Sequence, residues 1–416
     1  MAHPLKSSLI EKWLLQKLGD HVAPARIRVQ LATGGEAGFT SGAPVATVVI
    51  QDGRTLARLL FNPDVEFGEA YTDGRVQIHG GNLPSIFESV YRSVRRTGLR
   101  ALYSRLLSRR LDRMYDNSLR GSRSNIHRHY DLSVDFYKLW LDSNLVYTCA
   151  YFPDPSATLE DAQIAKMNHV CRKLCLRPGE TVVEAGCGWG SLALHMARDF
   201  GVHVKAFNIS AEQIAYARRQ AQLAGLEDRI EFIEDDYRNV SGEYDAFVSV
   251  GMLEHVGRDH YPELSRVIGR CLKDTGRGFL HFIGRNQPQP LNAWIRKRIF
   301  PGGYTPTLVE ALAMLEPLNV SVLDVEDIRI HYAWTLEHWL SRFEKSADRI
   351  ADMYSPEFVR LWRFYLAGSL AAFRAGTMHL FQVLFARSEC RSIPATRDHL
   401  YKTAPRKDLK WMTATR

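Results

Sequence analysis

A glycine-rich turn is the first feature of the sequence that could do chemistry. Glu184 precedes glycines at positions 186, 188 and 190, between the apolar run TVV and the helical stretch 191–200. Glycines let a backbone turn tightly and approach a ligand closely, and a carboxylate can meet a cationic group. A dinucleotide site requires its third glycine at position 191, where this chain has Ser191. The spacing therefore disfavours a nicotinamide-dependent oxidoreductase, and it leaves a plain tight turn as the weaker alternative.

The acid and the GxGxG spacing resemble the S-adenosylmethionine (SAM) site of class I methyltransferases. In such a site the turn accommodates the amino-acid part of SAM, and Glu184 would meet its ammonium group. The next strand of a generic methyltransferase ends in an acid for the ribose hydroxyls, whereas this chain has Asn208, Ser210 and Gln213 there. Amide and hydroxyl groups can take that role, and Gln213 is the strongest candidate for it.

A further acidic and aromatic group follows the third apolar run of this region. Asp235, Asp236 and Tyr237 stand there, and a carboxylate beside an aromatic ring suits the amino group and ring face of adenine. A turn at the end of the strand is a serious alternative for Asp235.

Short polar and aromatic motifs continue along nearly the whole chain. In order they are GEAYTDG (68–74), HRHYD (127–131), YTCAYF (147–152), EAGCGWG (184–190), NISAEQ (208–213), DYR (236–238), SVGMLEHVG (249–257), HFIG (281–284), WI (294–295), IFPGG (299–303) and FRA (373–375). Together they resemble the cyclopropane-fatty-acid (mycolic acid cyclopropane) synthases, and the first motif resembles the bacterial branch that acts on phospholipids. The resemblance implies that a methyl carbon passes from SAM to a cis double bond within a phospholipid acyl chain, and that proton loss then closes a cyclopropane ring.

The resemblance implies SAM as the cofactor and assigns its binding residues. They are Tyr147, Thr148, Glu184, Gly186, Gly188, Trp189, Gly190, Asn208, Ser210, Gln213, Asp236 and Tyr237.

The resemblance also implies a bound bicarbonate ion as the proton acceptor. Its ligands match Cys149, Glu254, His281, the backbone at Ile283, and Tyr332. A methyl group beside a carbocation is strongly acidic, so a modest base suffices if it is held within reach in a dry pocket. Taken one at a time, Cys149 could be a core thiol, Glu254 part of a helix start and His281 a core histidine. The ligand types also permit zinc, although no short-spaced pair supports a metal site.

Alternatives from the same fold and from other classes stay open at this point. The same carbocation can give an exomethylene or methyl-branched chain, or a hydroxyl after capture of water. A non-catalytic protein that binds lipid or nucleic acid is a further alternative. Some family members carry a cysteine where this chain has Ser369. Because the carbocation route needs no nucleophilic thiol, we expect activity without it.

The elements that position these residues fall into two parts. Residues 126–416 contain apolar runs at 181–186, 202–209, 229–236, 244–251 and 278–284, mostly separated by helical stretches. This alternation predicts an α/β catalytic domain with a parallel, doubly wound sheet. The resemblance makes it the Rossmann-like, seven-stranded sheet of a class I SAM-dependent methyltransferase. Two later strands, at 320–332 and 377–388, are expected to close the sheet edge.

The first 115 residues predict a smaller α+β domain. A helix at 7–19 is followed by three strands at 25–35, 44–52 and 54–63, and a helix from residue 85 is expected to reach about residue 115. Residues 116–125 are polar and contain glycine and serine, which is typical of a linker.

Composition and charge limit the partners. The chain has 416 residues, 45% of them hydrophobic, which excludes a mainly disordered or fibrous protein. It shows neither a run of 18 apolar residues nor a secretory signal, and its six cysteines are sparse. These features predict a cytoplasmic protein with reduced thiols.

The basic residues of the chain are concentrated in particular segments. The net charge is +8, and the segment 92–128 holds eleven arginines but two acids. That segment could be a solvated face, a membrane-surface element or a nucleic-acid arm. The resemblance favours peripheral docking at the inner face of the cell membrane, helped by the basic stretch 293–300, and no nucleic-acid motif is present. The N-terminal module is expected to associate with the membrane or with a second copy, as a homodimer.

Overall fold

The structure of the protein is a computed structural model that describes residues 8–97 and 132–401. The linker predicted at 116–125, the HRHYD motif and most of the arginine-rich segment lie outside the described residues. Among those described, no helix is both long enough and apolar enough to span a membrane.

The N-terminal part combines helices with a four-stranded sheet. Its helices are α1 (Leu9–Val22), α2 (Gly53–Phe61), α3 (Pro63–Thr72) and α4 (Leu83–Thr97), and its strands are β1 (Ile27–Leu31), β2 (Glu36–Gly38), β3 (Ala46–Ile50) and β4 (Val76–His79). The strands lie in the order β2-β1-β3-β4, and only the β1–β3 pair of this sheet is parallel. The smaller α+β domain predicted from the sequence is thus confirmed.

One predicted element of this part is wrong. Residues 54–63 were expected to form a strand, but most of them lie in α2. Asp52 caps this helix by accepting a hydrogen bond from the amide of Thr55 at 2.7 Å. Leu56 and Leu59 are both buried against the N-terminal core. Residues three apart share a helix face but point to opposite faces of a strand, so their spacing favours the helix.

The C-terminal part is built on a seven-stranded sheet. Its strands are β5 (Thr181–Ala185), β6 (His203–Asn208), β7 (Ile230–Glu234), β8 (Tyr244–Val250), β9 (Leu272–Gly284), β10 (Val320–Asp327) and β11 (His379–Arg387). They lie in the order β10-β11-β9-β8-β5-β6-β7, with β5 to β9 parallel to one another and β11 antiparallel to both its neighbours. The predicted doubly wound sheet, including its two closing strands, is confirmed.

Helices cover both faces of this sheet and one end of it. They are α5 (Val134–Tyr137), α6 (Leu159–Lys173), α7 (Ser191–Phe200), α8 (Ala211–Ala224), α9 (Leu253–Val256), α10 (Tyr261–Cys271), α11 (Ala293–Arg298), α12 (Leu308–Ala313), α13 (Arg329–Lys345), α14 (Ala347–Met353), α15 (Pro356–Ala375) and α16 (Asp398–Tyr401). The strand predicted at 320–332 ends at Asp327, and Tyr332 therefore lies in α13 instead of at a sheet edge.

The N-terminal part packs against α15 and α11 of the C-terminal part. The ring of Phe364 is the centre of this contact, 5.6 Å from Phe67, 4.9 Å from Phe87 and 4.7 Å from Trp294 between centroids. Gly68 of α3 lies directly on the indole of Trp294. The two parts thus share an aromatic interface.

The basic stretch 293–300 forms part of the same contact. Glu69 of α3 accepts hydrogen bonds from Lys297 at 3.1 Å and from Arg298 at 2.9 Å, while Trp294 and Arg296 are buried. This stretch, which the sequence analysis assigned to the membrane surface, therefore has two of its cations engaged by the N-terminal part.

Candidate active site

A cavity opens at the carboxyl ends of β5, β6 and β8. From β5 the chain adds β6 and β7 on one side of the sheet and then β8 and β9 on the other, so the direction of the strand order reverses at β5. Ligands bind at such a switch point in open α/β sheets. Most of the cofactor residues expected from the sequence line this cavity. They are Tyr147, Thr148, Glu184, Gly186, Gly188, Trp189, Asn208, Gln213, Asp236 and Tyr237. Gly190 and Ser210 are not among its lining residues.

The three glycines of the turn have different surroundings. All have positive φ, at 83°, 53° and 86° for Gly186, Gly188 and Gly190. A Cβ on Gly188 would meet no atom within 4 Å, so its backbone faces open space in the cavity. A Cβ on Gly190 would lie 2.7 Å from the Cβ of Ala217 and 2.8 Å from the ring of Phe232. Gly190 thus permits close packing of the turn on α8 and β7, and its role is structural.

Asn208 connects the glycine turn to the start of α8. Its Nδ2 donates to the carbonyl of Gly188 at 3.2 Å and to Oε1 of Gln213 at 2.7 Å. Ser210 is the N-cap of α8 and its hydroxyl accepts from the amide of Gln213 at 3.4 Å. Asn208 and Gln213 therefore lie together at the cavity wall, and Ser210 positions them by capping the helix.

The residues after β7 are held by a buried ion pair. Asp236 accepts a hydrogen bond from the guanidinium of Arg238 at 3.0 Å and another from its amide at 3.0 Å. The same guanidinium lies 4.9 Å from the ring centroid of Tyr237. Asp235, which also lines the cavity, accepts from the amide of Asp236 at 2.7 Å. The carboxylates and the ring are fixed by these contacts.

Glu184 is fully buried at the cavity wall. Its Oε2 has no hydrogen-bond partner, and burial raises the pKa of its carboxyl to about 8, against the lowering effect of Lys166. Lys166 itself lines the cavity, as does His255, whose pKa burial lowers to about 4. Sequence reasoning missed both residues. Lys166 lies in an amphipathic helix, where a lysine is ordinarily solvated, and its burial depends on the loop packed over it.

A second group of residues lies beside the cavity, around the end of β9. Glu254 of α9 accepts a short hydrogen bond from the amide of Ile283, and its Oε2 is buried without a partner. His281 lies two residues earlier on β9, with Nδ1 3.2 Å from Nε2 of Gln382 and Nε2 unpartnered. Burial raises the pKa of Glu254 to about 7 and lowers that of His281. A buried acid and a buried neutral imidazole thus each present an unsatisfied atom.

Cys149 and Tyr332 belong to one aromatic core beside this group. The thiol of Cys149 donates to the carbonyl of Ala150 at 3.0 Å, and burial raises its pKa. Tyr332 lies 4.6 Å from Phe373 and 5.8 Å from Trp339 between ring centroids. With a raised pKa the thiol stays protonated and acts as a donor, not as a nucleophile. Across the part of the chain that the structure describes, no cluster of His, Cys, Asp or Glu suits a metal ion.

A family model, described as mycolic acid cyclopropane synthetase, matches residues 117–383. The chain belongs to the mycolic acid cyclopropane synthetase family. A "Probable fatty acid methyltransferase" of Pseudomonas putida is 31% identical over 90% of this chain and 96% of its own length. The "Cyclopropane-fatty-acyl-phospholipid synthase" of Escherichia coli K12 is 40% identical over 62% of this chain and 66% of its own length.

Solved structures agree with this assignment. The cyclopropane synthase MmaA2 from Mycobacterium tuberculosis has a TM-score of 0.61 at 28% identity, covering 64% of this chain and 98% of that one. The mycolic acid cyclopropane synthase CmaA1, complexed with SAH and CTAB, gives the same TM-score and coverage. The chain is therefore an enzyme of this family with the SAM-dependent methyltransferase fold.

Proposed function

We propose that this enzyme transfers a methylene carbon from SAM to the cis double bond of an unsaturated phospholipid acyl chain, forming a cyclopropane. The observation that supports this most is the pair Glu254 and His281. Each has an unpartnered, buried side-chain atom next to the cavity of a methyltransferase fold. Buried polar atoms ordinarily have partners, so each of these two atoms indicates room for a bound polar group.

SAM is the proposed cofactor, and its amino-acid part and its nucleoside part are bound by different groups of the protein. Glu184 binds the ammonium group of the amino-acid part, while Gly188 lets the backbone approach it. Gln213 and Asn208 face the ribose hydroxyls, and Asp236 with Tyr237 borders the adenine. That the solved CmaA1 structure contains SAH supports SAM as the cofactor.

The residues beside the cavity fit a bicarbonate ion as a second bound group. The imidazole of His281 and the phenol of Tyr332 can donate to its oxygens, and Glu254 can accept its hydroxyl proton. The thiol of Cys149 can donate to it after turning from the carbonyl of Ala150. When bound, this ion supplies the base that takes up the proton released on ring closure. The amide of Ile283 donates to Glu254. This bond orients the carboxylate, and a contact between the backbone at Ile283 and the ion stays part of the proposal.

We propose the following course for the reaction. The alkene π electrons attack the sulfonium methyl, its C–S bond breaks to release S-adenosylhomocysteine, and a carbocation forms next to the new methyl group. Loss of one proton from that methyl gives the electron pair that closes the ring. The core of Tyr332, Phe373 and Trp339 excludes water, which would otherwise capture the cation, and its ring faces stabilise positive charge.

The domain roles remain proposals. We divide the chain into an N-terminal α+β domain (1–115), a linker (116–125) and a catalytic domain (126–416). The substrate lies in a membrane, and we propose that the enzyme docks at the inner face of the cell membrane through its arginine-rich segment. A homodimer through the N-terminal domain is part of the same proposal, and nucleic acid is not a proposed partner.

A second candidate product is a methyl-branched or exomethylene acyl chain. The relative from Pseudomonas putida, which matches 90% of this chain, is named a probable fatty acid methyltransferase. Both outcomes start from the same cation. In the exomethylene route a hydride first shifts from the methyl-bearing carbon to the adjacent cationic carbon, and the methyl then loses its proton to form the double bond; later reduction gives the methyl branch.

Lipid analysis with deuterated methionine tests the proposal. The chain is expressed in a host without cyclopropane lipids, and membrane fatty acids are analysed by gas chromatography with mass spectrometry. A product one CH₂ heavier that retains two deuteriums and resists mild hydrogenation indicates ring closure. A reducible product of the same mass indicates an exomethylene chain. Unchanged lipids in cells that contain folded protein would contradict the proposal.

A further inference from the structure

Lys166 is a buried cation that the proposed reaction does not use. It lies on α6, is 1% exposed and lines the cofactor cavity. Its Nζ donates to Oγ1 of Thr148 at 3.0 Å, and the described residues place no carboxylate within ion-pair distance of it. A buried charge with a single neutral partner is costly unless another group completes its surroundings.

The two carboxyl groups that act electrostatically on Lys166, those of Asp142 and Glu184, differ in their contacts. Asp142 accepts hydrogen bonds from the amides of Asn144 at 3.0 Å and Val146 at 2.9 Å, so both its oxygens hold the turn that leads to Thr148. Glu184 lines the same cavity as Lys166 and has an unpartnered oxygen. One cavity wall therefore presents an ammonium group and a carboxyl group that both have unused hydrogen-bonding capacity.

We propose that Lys166 binds the carboxylate of the amino-acid part of the cofactor, complementing Glu184 at its ammonium. This inference rests on the proposed function. The amino-acid end is a zwitterion: its carboxylate matches the ammonium of Lys166, and its ammonium favours the ionised form of Glu184. The hydroxyl of Thr148 accepts from Lys166, so its own proton is available to the same carboxylate.

The electrostatics of the cavity agree with this arrangement. Burial lowers the pKa of Lys166 to about 8, and Asp142, Cys149 and Glu184 partly oppose that effect. A carboxylate arriving beside the ammonium stabilises its charged form further. Thr148 is also fixed from its other side, because Gln163 donates to its carbonyl at 2.8 Å.

Calorimetric titration with three ligands tests the proposal without measuring turnover. The ligands are S-adenosylhomocysteine, its decarboxylated amine analogue, and methylthioadenosine, which lacks the whole amino-acid part. For Lys166→Met we expect the affinity for S-adenosylhomocysteine to fall about tenfold to a hundredfold, the range of a buried charged hydrogen bond. The affinities for the other two ligands should stay at their wild-type values.

Two further variants keep the test decisive. Thr148→Val retains the cation but removes the hydroxyl, and should weaken S-adenosylhomocysteine selectively and by a smaller factor. Lys205→Met removes a lysine of β6 that pairs with Glu231 outside the cavity, and should change nothing. Melting temperatures establish that each variant is folded.

The outcomes separate this inference from the proposed function. If Lys166→Met weakens S-adenosylhomocysteine and the amine analogue equally, Lys166 acts through the charge of Glu184 and the inference is wrong. Unchanged binding of all three ligands also overturns it. Failure of the wild-type protein to bind S-adenosylhomocysteine would instead contradict the proposed function.

Discussion

The carboxylate of Glu254 accepts a hydrogen bond from the backbone amide of Ile283. This bond joins the short helix α9 to the end of β9, two residues beyond His281. It fixes one oxygen of Glu254 and leaves the other buried and unpartnered. The backbone amide of Ile283 thereby fixes the direction in which the carboxylate of Glu254 points.

Glu254→Gln should separate cofactor binding from turnover. Glutamine keeps one side-chain oxygen that can accept from the amide of Ile283. In place of the second carboxylate oxygen, which we propose accepts the hydroxyl proton of the bound ion, it carries an NH₂ group that can only donate. We expect near-normal binding of S-adenosylhomocysteine, with turnover reduced by about a hundredfold or more, the usual effect of losing acid–base assistance. Calorimetry and a radiolabelled methyl-transfer assay measure the two quantities. Glu231→Gln, on the exposed end of β7, serves as the control, and wild-type turnover in Glu254→Gln would contradict the proposed role.

Glu254 should also make stability depend on pH. Burial raises its pKa from 4.5 to about 7 in the folded state. As pH rises from 4.5 to 7, the unfolded chain loses this proton before the folded protein does, so the free energy of unfolding falls. The variant Glu254→Gln lacks this loss of stability. Glu184, whose pKa is also raised, changes the stability of wild type and variant equally with pH.

Urea unfolding measures this difference. The stability of Glu254→Gln relative to wild type should increase between about pH 4.5 and about pH 7 and stay level above that range. A difference that does not vary with pH would show that the carboxyl titrates alike in both states.

The glycine turn and the succession of strands and helices along the C-terminal part could be predicted because local sequence determines them. The turn needs residues without a Cβ, and short apolar runs alternate with helices over the whole C-terminal part. The error at residues 54–63 is also local. Arg54, Arg58 and the apolar residues between them fit both the periodicity of a helix and that of a strand. Asp52, a residue type that caps helices, was the overlooked indication of a helix.

Lys166 and the position of Tyr332 could not be predicted in the same way. A lysine in an amphipathic helix is ordinarily exposed, and Lys166 is buried only because Thr148 and the loop before it cover α6. Tyr332 follows a run that is strand-like up to Asp327, after which the chain enters α13. Burial and chain direction at these points depend on contacts between distant segments, which no local pattern contains.

Two glycines of the turn form a matched pair for substitution. Gly190→Ala should lower the free energy of unfolding by about 2–4 kcal/mol, since it adds an overpacked Cβ to an unfavourable positive φ. Gly188→Ala has only the backbone cost of about 1 kcal/mol, because its Cβ meets open space. That Cβ lies in the cavity, however, and should weaken the binding of S-adenosylhomocysteine. Denaturant unfolding and calorimetry on both variants check this, and equal effects on stability would contradict the assigned roles.

The interface between the two parts offers the last prediction. A Cβ on Gly68 would lie 2.6 Å from the indole of Trp294, which is 1% exposed and packed on Phe364. Gly68→Val should therefore force the N-terminal part away from α11, and scanning calorimetry should show a lower or divided unfolding transition. Glu69→Gln is the matched control on the same helix. It weakens ion pairs whose cations are partly exposed, which contribute about 1 kcal/mol or less, so its transition should move little. An unchanged transition in Gly68→Val would mean that the two parts do not rely on this contact.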